Sequence, residues 1–169
     1  MRGGVTGAWL LSATILLSTV CCARIDDHRI PSVPVNIQFT TQGMWDTYGV
    51  TGAMQHKRFI KKVDGNVPSN FPYSVATYTG YGGVLLVSDI FGNALAFDLA
   101  CPYEVKPDIR VTIDEDAHDA VCPVCGSTYD VFNGYGRPTS GPAAQHGYGL
   151  TVYRVIDSNQ ALMYKVITR

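Results

Sequence analysis

Apolar and polar residues alternate in short runs along most of the chain, a pattern typical of β-strands with one buried face. The clearest pair of runs, residues 83–88 and 94–98, is separated by the turn Phe91-Gly92-Asn93 and predicts a β-hairpin. Residues 150–155 and 161–167, on either side of the turn 157–160, predict a second hairpin. Further strands are predicted at residues 35–40, 109–113, 120–121 and 127–132. Because no long stretch keeps a helical period, the pattern predicts an all-β fold, a small sandwich or barrel.

The stretch between residues 44 and 66 has no clear period of its own. Its large apolar residues are predicted to lie in the core or in a lid over it. They are Trp45, Tyr48, Val50, Met54, Phe59 and Ile60. The prolines at positions 68 and 72 then predict a loop before the first hairpin.

The first 22 residues have the pattern of an export signal. Arg2 supplies a short positive region, and the apolar stretch 8–20 that follows favours a signal peptide over a membrane-spanning helix. The segment 17–22, Leu-Ser-Thr-Val-Cys-Cys, resembles a bacterial lipobox, in which a cysteine is lipidated after cleavage. Such motifs prefer a small residue before the modified cysteine, which favours Cys22 over Cys21 as the lipidation site.

This pattern divides the chain into a lipoprotein-type signal peptide (1–22), a polar tether (23–33) and one β domain (34–169). Attached acyl chains would hold the domain at a membrane of the bacterial cell envelope, facing the periplasm or the cell surface. The alternative is ordinary secretion, with two leftover cysteines.

Length and charge narrow the choice of partners. The chain has 169 residues and a formal net charge of −1, which suits one domain plus an export signal. It has no surplus of basic residues to neutralise phosphates, so nucleic acid is not expected as a partner.

Two short motifs carry the candidate chemistry, and each follows a predicted strand. They are Cys101-Pro102-Tyr103-Glu104 and Cys122-Pro123-Val124-Cys125-Gly126-Ser127. Proline after the cysteine fixes one backbone torsion and removes a donor, which suits a stiff loop. A C-x-x-C with glycine directly after it has the spacing of a metal knuckle, in which two thiolates point at one ion.

The second motif and its continuation resemble the Rieske iron–sulphur domain, and the resemblance covers roughly residues 82–166. That family carries C-x-H in one loop and C-x-x-H-G in another, and two cysteines and two histidines hold a [2Fe–2S] cluster. Cys101 and Cys122 match the two family cysteines. The later positions that match the family pattern are Gly126, Ser127, Tyr129, Asp130, Gly134, Pro138 and Gly141-Pro142-Ala143.

The resemblance implies a Rieske-like sandwich or barrel with two metal-binding loops at one end. It also implies that the hydroxyls of Ser127 and Tyr129 hydrogen-bond cluster sulphurs and tune the potential. Both histidine positions are replaced, however, by Tyr103 in the first loop and Cys125 in the second, so an ordinary Rieske centre is not expected. His118 lies near in sequence, but it is predicted to be a solvated residue of an acidic turn.

Three interpretations of the loops follow. The first is an altered [2Fe–2S] cluster held by the three cysteines and an oxygen ligand, for which Tyr103 and Glu104 are the candidates. Its potential would lie well below a Rieske value, because anionic ligands replace imidazole. The second is a single zinc or iron ion in a Cys3Glu site, since Glu104 falls at the place of a fourth cysteine. The third is a metal-free site in which Cys101 pairs with Cys122, or Cys122 with Cys125, as a disulphide.

The function classes are therefore an electron-transfer or metal-binding module on the cell envelope and a cluster-free Rieske fold with a structural or interaction role. A stand-alone enzyme is disfavoured, because the sequence contains no evident Ser–His–Asp pattern and no evident pair of catalytic carboxylates. A thioredoxin-like role is also disfavoured, since its C-x-x-C opens a helix, whereas here Gly126 and a β-rich run follow.

Overall fold

A computed structural model describes residues 24–62, 64–157 and 164–169. Most of its regular elements are strands, arranged in two sheets. The strands are β1 (Val35–Phe39), β2 (His56–Phe59), β3 (Tyr78–Thr79), β4 (Val84–Ser88), β5 (Ala94–Asp98), β6 (Thr112–Asp114), β7 (Asp119–Val121), β8 (Thr128–Asp130), β9 (Arg137–Ser140), β10 (Val152–Asp157) and β11 (Lys165–Thr168). Two short helices, α1 (Gln42–Tyr48) and α2 (Gly141–His146), complete the set. The prediction of an all-β sandwich or barrel is confirmed.

The larger sheet has seven strands in the order β2-β4-β5-β10-β11-β1-β3. Strands β4 and β5 pair in antiparallel register from Val84 opposite Asp98 to Ser88 opposite Ala94, as the sequence predicts. The Asp89 carboxylate fixes their turn by accepting hydrogen bonds from the backbone N–H groups of Phe91 and Asn93. All five residues of β4 are buried, so this hairpin forms the centre of the domain.

The second predicted hairpin is also present, as β10 and β11. Of the predicted turn 157–160, Asp157 is the last residue of β10, and residues 158–160 lie outside the described residues, as do residues 161–163 of the predicted second strand. Strand β1 pairs with the other edge of β11, so the chain's first and last described strands meet in one sheet.

The smaller sheet holds four strands in sequence order, β6-β7-β8-β9. It packs on the larger sheet through a core that includes Leu85 and Phe97 on one side and Val111, Tyr129 and Val131 on the other. The first cysteine loop connects β5 of the larger sheet to β6 of the smaller one, and the second loop connects β7 to β8. The fold therefore brings the two loops to the same end of the smaller sheet.

Strand β6 begins later than the predicted strand 109–113, because the chain first crosses from one sheet to the other. Ala100 and Arg110 form an isolated bridge there, and the N–H of Cys101 donates to the carbonyl of Ile109 at 3.0 Å. These contacts hold the first cysteine loop closed at its base.

The two helices and the strands β2, β3 and β9 are absent from the sequence prediction. Thr41 is the N-cap of helix α1, and its hydroxyl accepts the N–H of Met44 at 3.1 Å. The buried Trp45 of this helix packs edge-on against Phe39. Helix α2 begins with Gly141-Pro142 and has six residues. Both helices are too short to show a helical period in the sequence.

A buried carboxylate ties the hairpin to the first cysteine loop. Asp98 accepts hydrogen bonds from the N–H groups of Gly82 (2.9 Å) and Ala100 (2.7 Å) through Oδ1. Through Oδ2 it accepts the N–H of Tyr81 at 2.9 Å and the hydroxyl of Tyr153 at 2.5 Å. Burial raises the pKa of Asp98, while these four donors oppose that shift. Since Ala100 directly precedes Cys101, this network fixes the start of the loop.

The predicted tether comprises residues 23–33, and its described part, residues 24–33, runs along the surface of the domain. The N–H of Asp26 donates to the carbonyl of Gly147 at 2.8 Å, and the N–H of Gly149 donates back to Asp26 at 2.9 Å. The side chain of Ile30 is buried. Among the residues that the structure describes, no helix has the length and apolar character needed to cross a membrane. The predicted signal peptide and both Cys21 and Cys22 lie outside the described residues.

Candidate metal centre

Three cysteines from the two loops meet at one end of the smaller sheet. Cys101 and Cys122 are fully buried and Cys125 is half-buried. Their Sγ atoms all lie within 4.8 Å of one another, and Cys101 Sγ lies 3.7 Å from Cys125 Sγ. All three are free thiols in the structure, which forms neither of the two disulphides considered from the sequence. These three sulphurs could hold a metal ion.

The second loop directs backbone N–H groups at its sulphurs. Cys122 Sγ accepts hydrogen bonds from the backbone of Cys125 and Val124, and Cys125 Sγ accepts one from the backbone of Ser127. The left-handed Gly126 (φ 69°) and the hydrogen bond from its N–H to the Cys122 carbonyl, at 3.0 Å, create this turn. Donors aimed at sulphur stabilise thiolate charge, which is the form that binds a metal.

Two hydroxyls complete the surroundings of the sulphurs. Tyr129 Oη lies 3.3 Å from Cys101 Sγ, and the Cys125 thiol donates to Ser127 Oγ at 3.2 Å. Once Cys125 is deprotonated, the serine hydroxyl can donate in return. The sequence resemblance singles out the same two hydroxyls, and both side chains are buried beside the sulphurs.

The thiols differ in acidity because their surroundings differ. Burial raises the pKa of Cys122 to about 12, although the two backbone donors oppose the rise. Burial also acts on Cys125, but hydrogen bonds from the side chain and backbone of Ser127, and from the neighbouring thiols, bring its pKa below the usual value. Burial, followed by the hydrogen bond with Cys101 and the charges of the cysteines, raises the pKa of Tyr129. Its hydroxyl therefore stays protonated and can donate to sulphur.

The two oxygen ligands considered from the sequence lie outside the group of sulphurs. Glu104 is half-buried, and its carboxylate does not lie within 4.8 Å of all three cysteine sulphurs. Tyr103 is 39% exposed, and its ring stacks on His146 with centroids 6.0 Å apart. His118 is exposed in its turn.

Helix α2 supports the site by positioning Ser127, a role that no sequence pattern predicts. The N–H of Ala143 donates to Ser127 Oγ at 3.0 Å, which orients the hydroxyl beside Cys125. A Cβ atom on Gly141 would meet Ser127 Cα at 2.8 Å, so only glycine allows this approach. The Gly-Pro-Ala motif of the sequence resemblance is thus the part of the chain that fixes Ser127.

The first loop contains a strained residue. Val105 has φ 51°, a left-handed value that is a genuine outlier for a β-branched side chain. Its N–H donates to the Cys101 carbonyl at 2.9 Å, and its own carbonyl accepts the Tyr81 hydroxyl at 3.1 Å. These two hydrogen bonds hold the strained conformation, which costs on the order of 1–3 kcal/mol.

Replacing Val105 with glycine should therefore stabilise the protein. Relief of the strain outweighs the extra flexibility of glycine in the unfolded chain, and we expect the free energy of unfolding to rise by about 1 kcal/mol. Urea unfolding in the presence of a chelator measures this change without a contribution from bound metal. The matched control is Val124→Gly in the second loop, where φ is not positive and a loss of about 0.5–1 kcal/mol is expected. Equal losses in the two variants would contradict the assignment of strain.

Comparison with known proteins adds no further assignment. No protein-family model matches the chain, and no significant match was found among curated proteins or solved structures.

Proposed function

We propose that this protein binds one metal ion, zinc or iron, between its two loops through Cys101, Cys122 and Cys125. The spacing of the sulphurs is the observation that carries the proposal. A tetrahedral ion with metal–sulphur bonds of about 2.3 Å places neighbouring sulphurs about 3.8 Å apart. The sulphurs of Cys101 and Cys125 are 3.7 Å apart, and all three lie within 4.8 Å of one another.

This spacing favours one ion over a two-iron cluster. In a [2Fe–2S] centre each iron takes two protein ligands, and the two pairs are separated by the bridging sulphides. Three cysteine ligands would then have to divide between two irons, with at least one sulphur set apart from the others. The three sulphurs form one close group instead.

We assign the ion a structural role, which requires a fourth ligand besides the three cysteines. Thiolates select zinc or iron over hard cations such as Mg²⁺, and a closed tetrahedral site contributes directly to folding. The ion would bind the first cysteine loop, which joins β5 of the larger sheet to β6 of the smaller one, to the second loop, which joins β7 to β8. In this proposal the domain is Rieske-like in its arrangement of loops, with a single ion where that family carries a cluster.

The proposal includes a location at the bacterial cell envelope. It rests on the apolar stretch 8–20 followed by Cys21-Cys22, with Cys22 as the lipidated residue. Residues 24–30 lie against the domain next to Gly147 and Gly149, so a lipid on Cys22 would hold the domain close to the membrane.

A second candidate is an altered [2Fe–2S] cluster that transfers electrons. The hydroxyls of Tyr129 and Ser127, 3.3 Å and 3.2 Å from cysteine sulphurs, favour it, because hydrogen bonds to sulphur tune the potential of iron–sulphur centres. Three cysteines and an oxygen ligand would give it a low potential.

Metal analysis of the full chain, purified in detergent without oxygen, separates the two candidates. One zinc or iron per chain without acid-labile sulphide supports the mononuclear site. Two irons with two sulphides and a coloured protein would support the cluster instead. Failure to bind zinc, iron or cobalt after reduction and reconstitution would contradict both and favour a cluster-free interaction domain. The Cys125→Ser variant should bind none of these metals tightly and serves as the negative control.

A further inference from the structure

The two cysteine loops share one backbone conformation. Each begins with Cys-Pro, and in each the N–H of the fifth residue donates to the carbonyl of the cysteine, at 2.9 Å from Val105 and 3.0 Å from Gly126. In each the fifth residue is left-handed, with φ 51° at Val105 and 69° at Gly126. The fourth residue therefore occupies an equivalent place in the two turns. It is Glu104 in the first loop and Cys125 in the second.

We propose that the Glu104 carboxylate is the fourth ligand of the metal ion, an inference that rests on the proposed function. Cys125, in the fourth position of its turn, brings its sulphur to 3.7 Å from Cys101. The equivalent turn gives Glu104 the corresponding approach from the opposite loop. The backbone strain at Val105 arises because the first loop forms this turn without a glycine in the fifth position.

The longer side chain of glutamate explains why its carboxylate lies outside the sulphur group. A carboxylate oxygen is two bonds further from the backbone than a cysteine sulphur, so rotation about the side-chain torsions of Glu104 changes the distance between its carboxylate and the sulphurs. The Glu104 carboxylate makes no hydrogen bond or ion pair with any residue that the structure describes. Its binding to an ion would therefore break no hydrogen bond or ion pair among the described residues.

The other candidate side chains near the sulphurs are held in contacts of their own. The Tyr103 ring is stacked on His146, and the Tyr129 hydroxyl is bound to Cys101 Sγ. Ser127 Oγ accepts the N–H of Ala143 and contacts Cys125. Glu104 therefore remains as the candidate for the fourth ligand. The resulting set of three cysteines and one glutamate is a combination that zinc, iron(II) and cobalt(II) accept.

Cobalt(II) binding to the full chain tests this assignment, because its spectrum reports the number of thiolate ligands. Glu104→Gln should weaken cobalt binding by at least about tenfold while leaving the three-thiolate spectrum in place. Glu104→Cys should add a fourth thiolate and raise the sulphur-to-cobalt charge-transfer intensity by about one third. Glu115→Gln, in the exposed acidic turn, is the matched control and should change neither value.

The outcomes separate the two proposals. If Glu104→Gln binds cobalt like the wild type and Glu104→Cys adds no charge-transfer intensity, Glu104 is not a ligand. In that case loss of binding in Cys125→Ser would still support the three-cysteine site. If Cys125→Ser also retains wild-type binding, the metal site itself is wrong. Far-ultraviolet circular dichroism of each variant shows that the fold is kept, and Glu104→Cys provides a gain of signal that misfolding cannot imitate.

Discussion

Replacing Cys122 with serine should abolish tight metal binding and remove the stabilisation that the ion provides. Cys122 lies at the base of the second loop, where its sulphur accepts two backbone hydrogen bonds and meets the sulphurs of both other cysteines. An ion that binds only the folded chain stabilises it by about 4 kcal/mol at a free concentration a thousand times its dissociation constant. For a domain of this size that corresponds to a melting temperature about 10 °C higher. Thermal unfolding with zinc and with a chelator measures this increment.

The readout is the zinc-dependent shift in melting temperature, because serine at a buried position also destabilises the metal-free protein. The wild type should lose about 10 °C on chelation, and Cys122→Ser should be insensitive to the chelator. Val124→Ser is the control, since Val124 lies in the same loop with its side chain 60% exposed and supplies only its backbone to the site. A zinc-dependent shift of wild-type size in Cys122→Ser would contradict the metal site.

Replacing Asp98 with asparagine should cost about 3 kcal/mol of unfolding free energy. Both oxygens of Asp98 accept hydrogen bonds, two at Oδ1 and three at Oδ2, and the N–H of Gly82 is shared between the two oxygens. An asparagine amide can replace only one of the two oxygens as an acceptor. In one orientation its NH₂ group would face the backbone N–H groups of Gly82 and Ala100, and in the other it would face the backbone N–H of Tyr81. A buried donor left without a partner accounts for most of the loss. Urea unfolding of the chelated protein measures it.

Asp116→Asn is the matched control for this prediction. Asp116 is exposed in the turn between β6 and β7, and its replacement should change the unfolding free energy by no more than about 0.5 kcal/mol. If Asp98→Asn is equally mild, the buried network does not support the hairpin in the way its geometry indicates.

The strands could be predicted from the sequence where one local pattern determines them. Residues 84–88 and 94–98 are apolar runs around a short turn, and both the turn residues and the burial favour the same hairpin. The two cysteine motifs could be located for the same reason, because their spacing is local. The close group formed by Cys101, Cys122 and Cys125 requires in addition that two distant loops meet, which only the packing of the two sheets provides.

The remaining features depend on contacts that no local pattern encodes. Strand β9 is short and polar, and its sequence Arg-Pro-Thr-Ser has no strand pattern; pairing with β8 makes it a strand. Helix α2 has six residues, and its support of Ser127 depends on the approach of Gly141. The equivalence of Glu104 and Cys125 is visible in the sequence as a parallel of motifs. The shared turn, with its strained Val105, is a property of the backbone conformation, which the motif does not encode.

X-ray absorption at the edge of the bound metal tests the central claim most directly. On the full chain, purified in detergent without oxygen, a single ion should show three sulphur neighbours at about 2.3 Å and one oxygen neighbour at about 2.0–2.2 Å. No second metal should appear in the shell beyond them. A metal–metal vector with bridging sulphide would contradict the mononuclear site and favour the altered cluster. A shell of oxygen and nitrogen neighbours without sulphur would show that Cys101, Cys122 and Cys125 do not bind the ion.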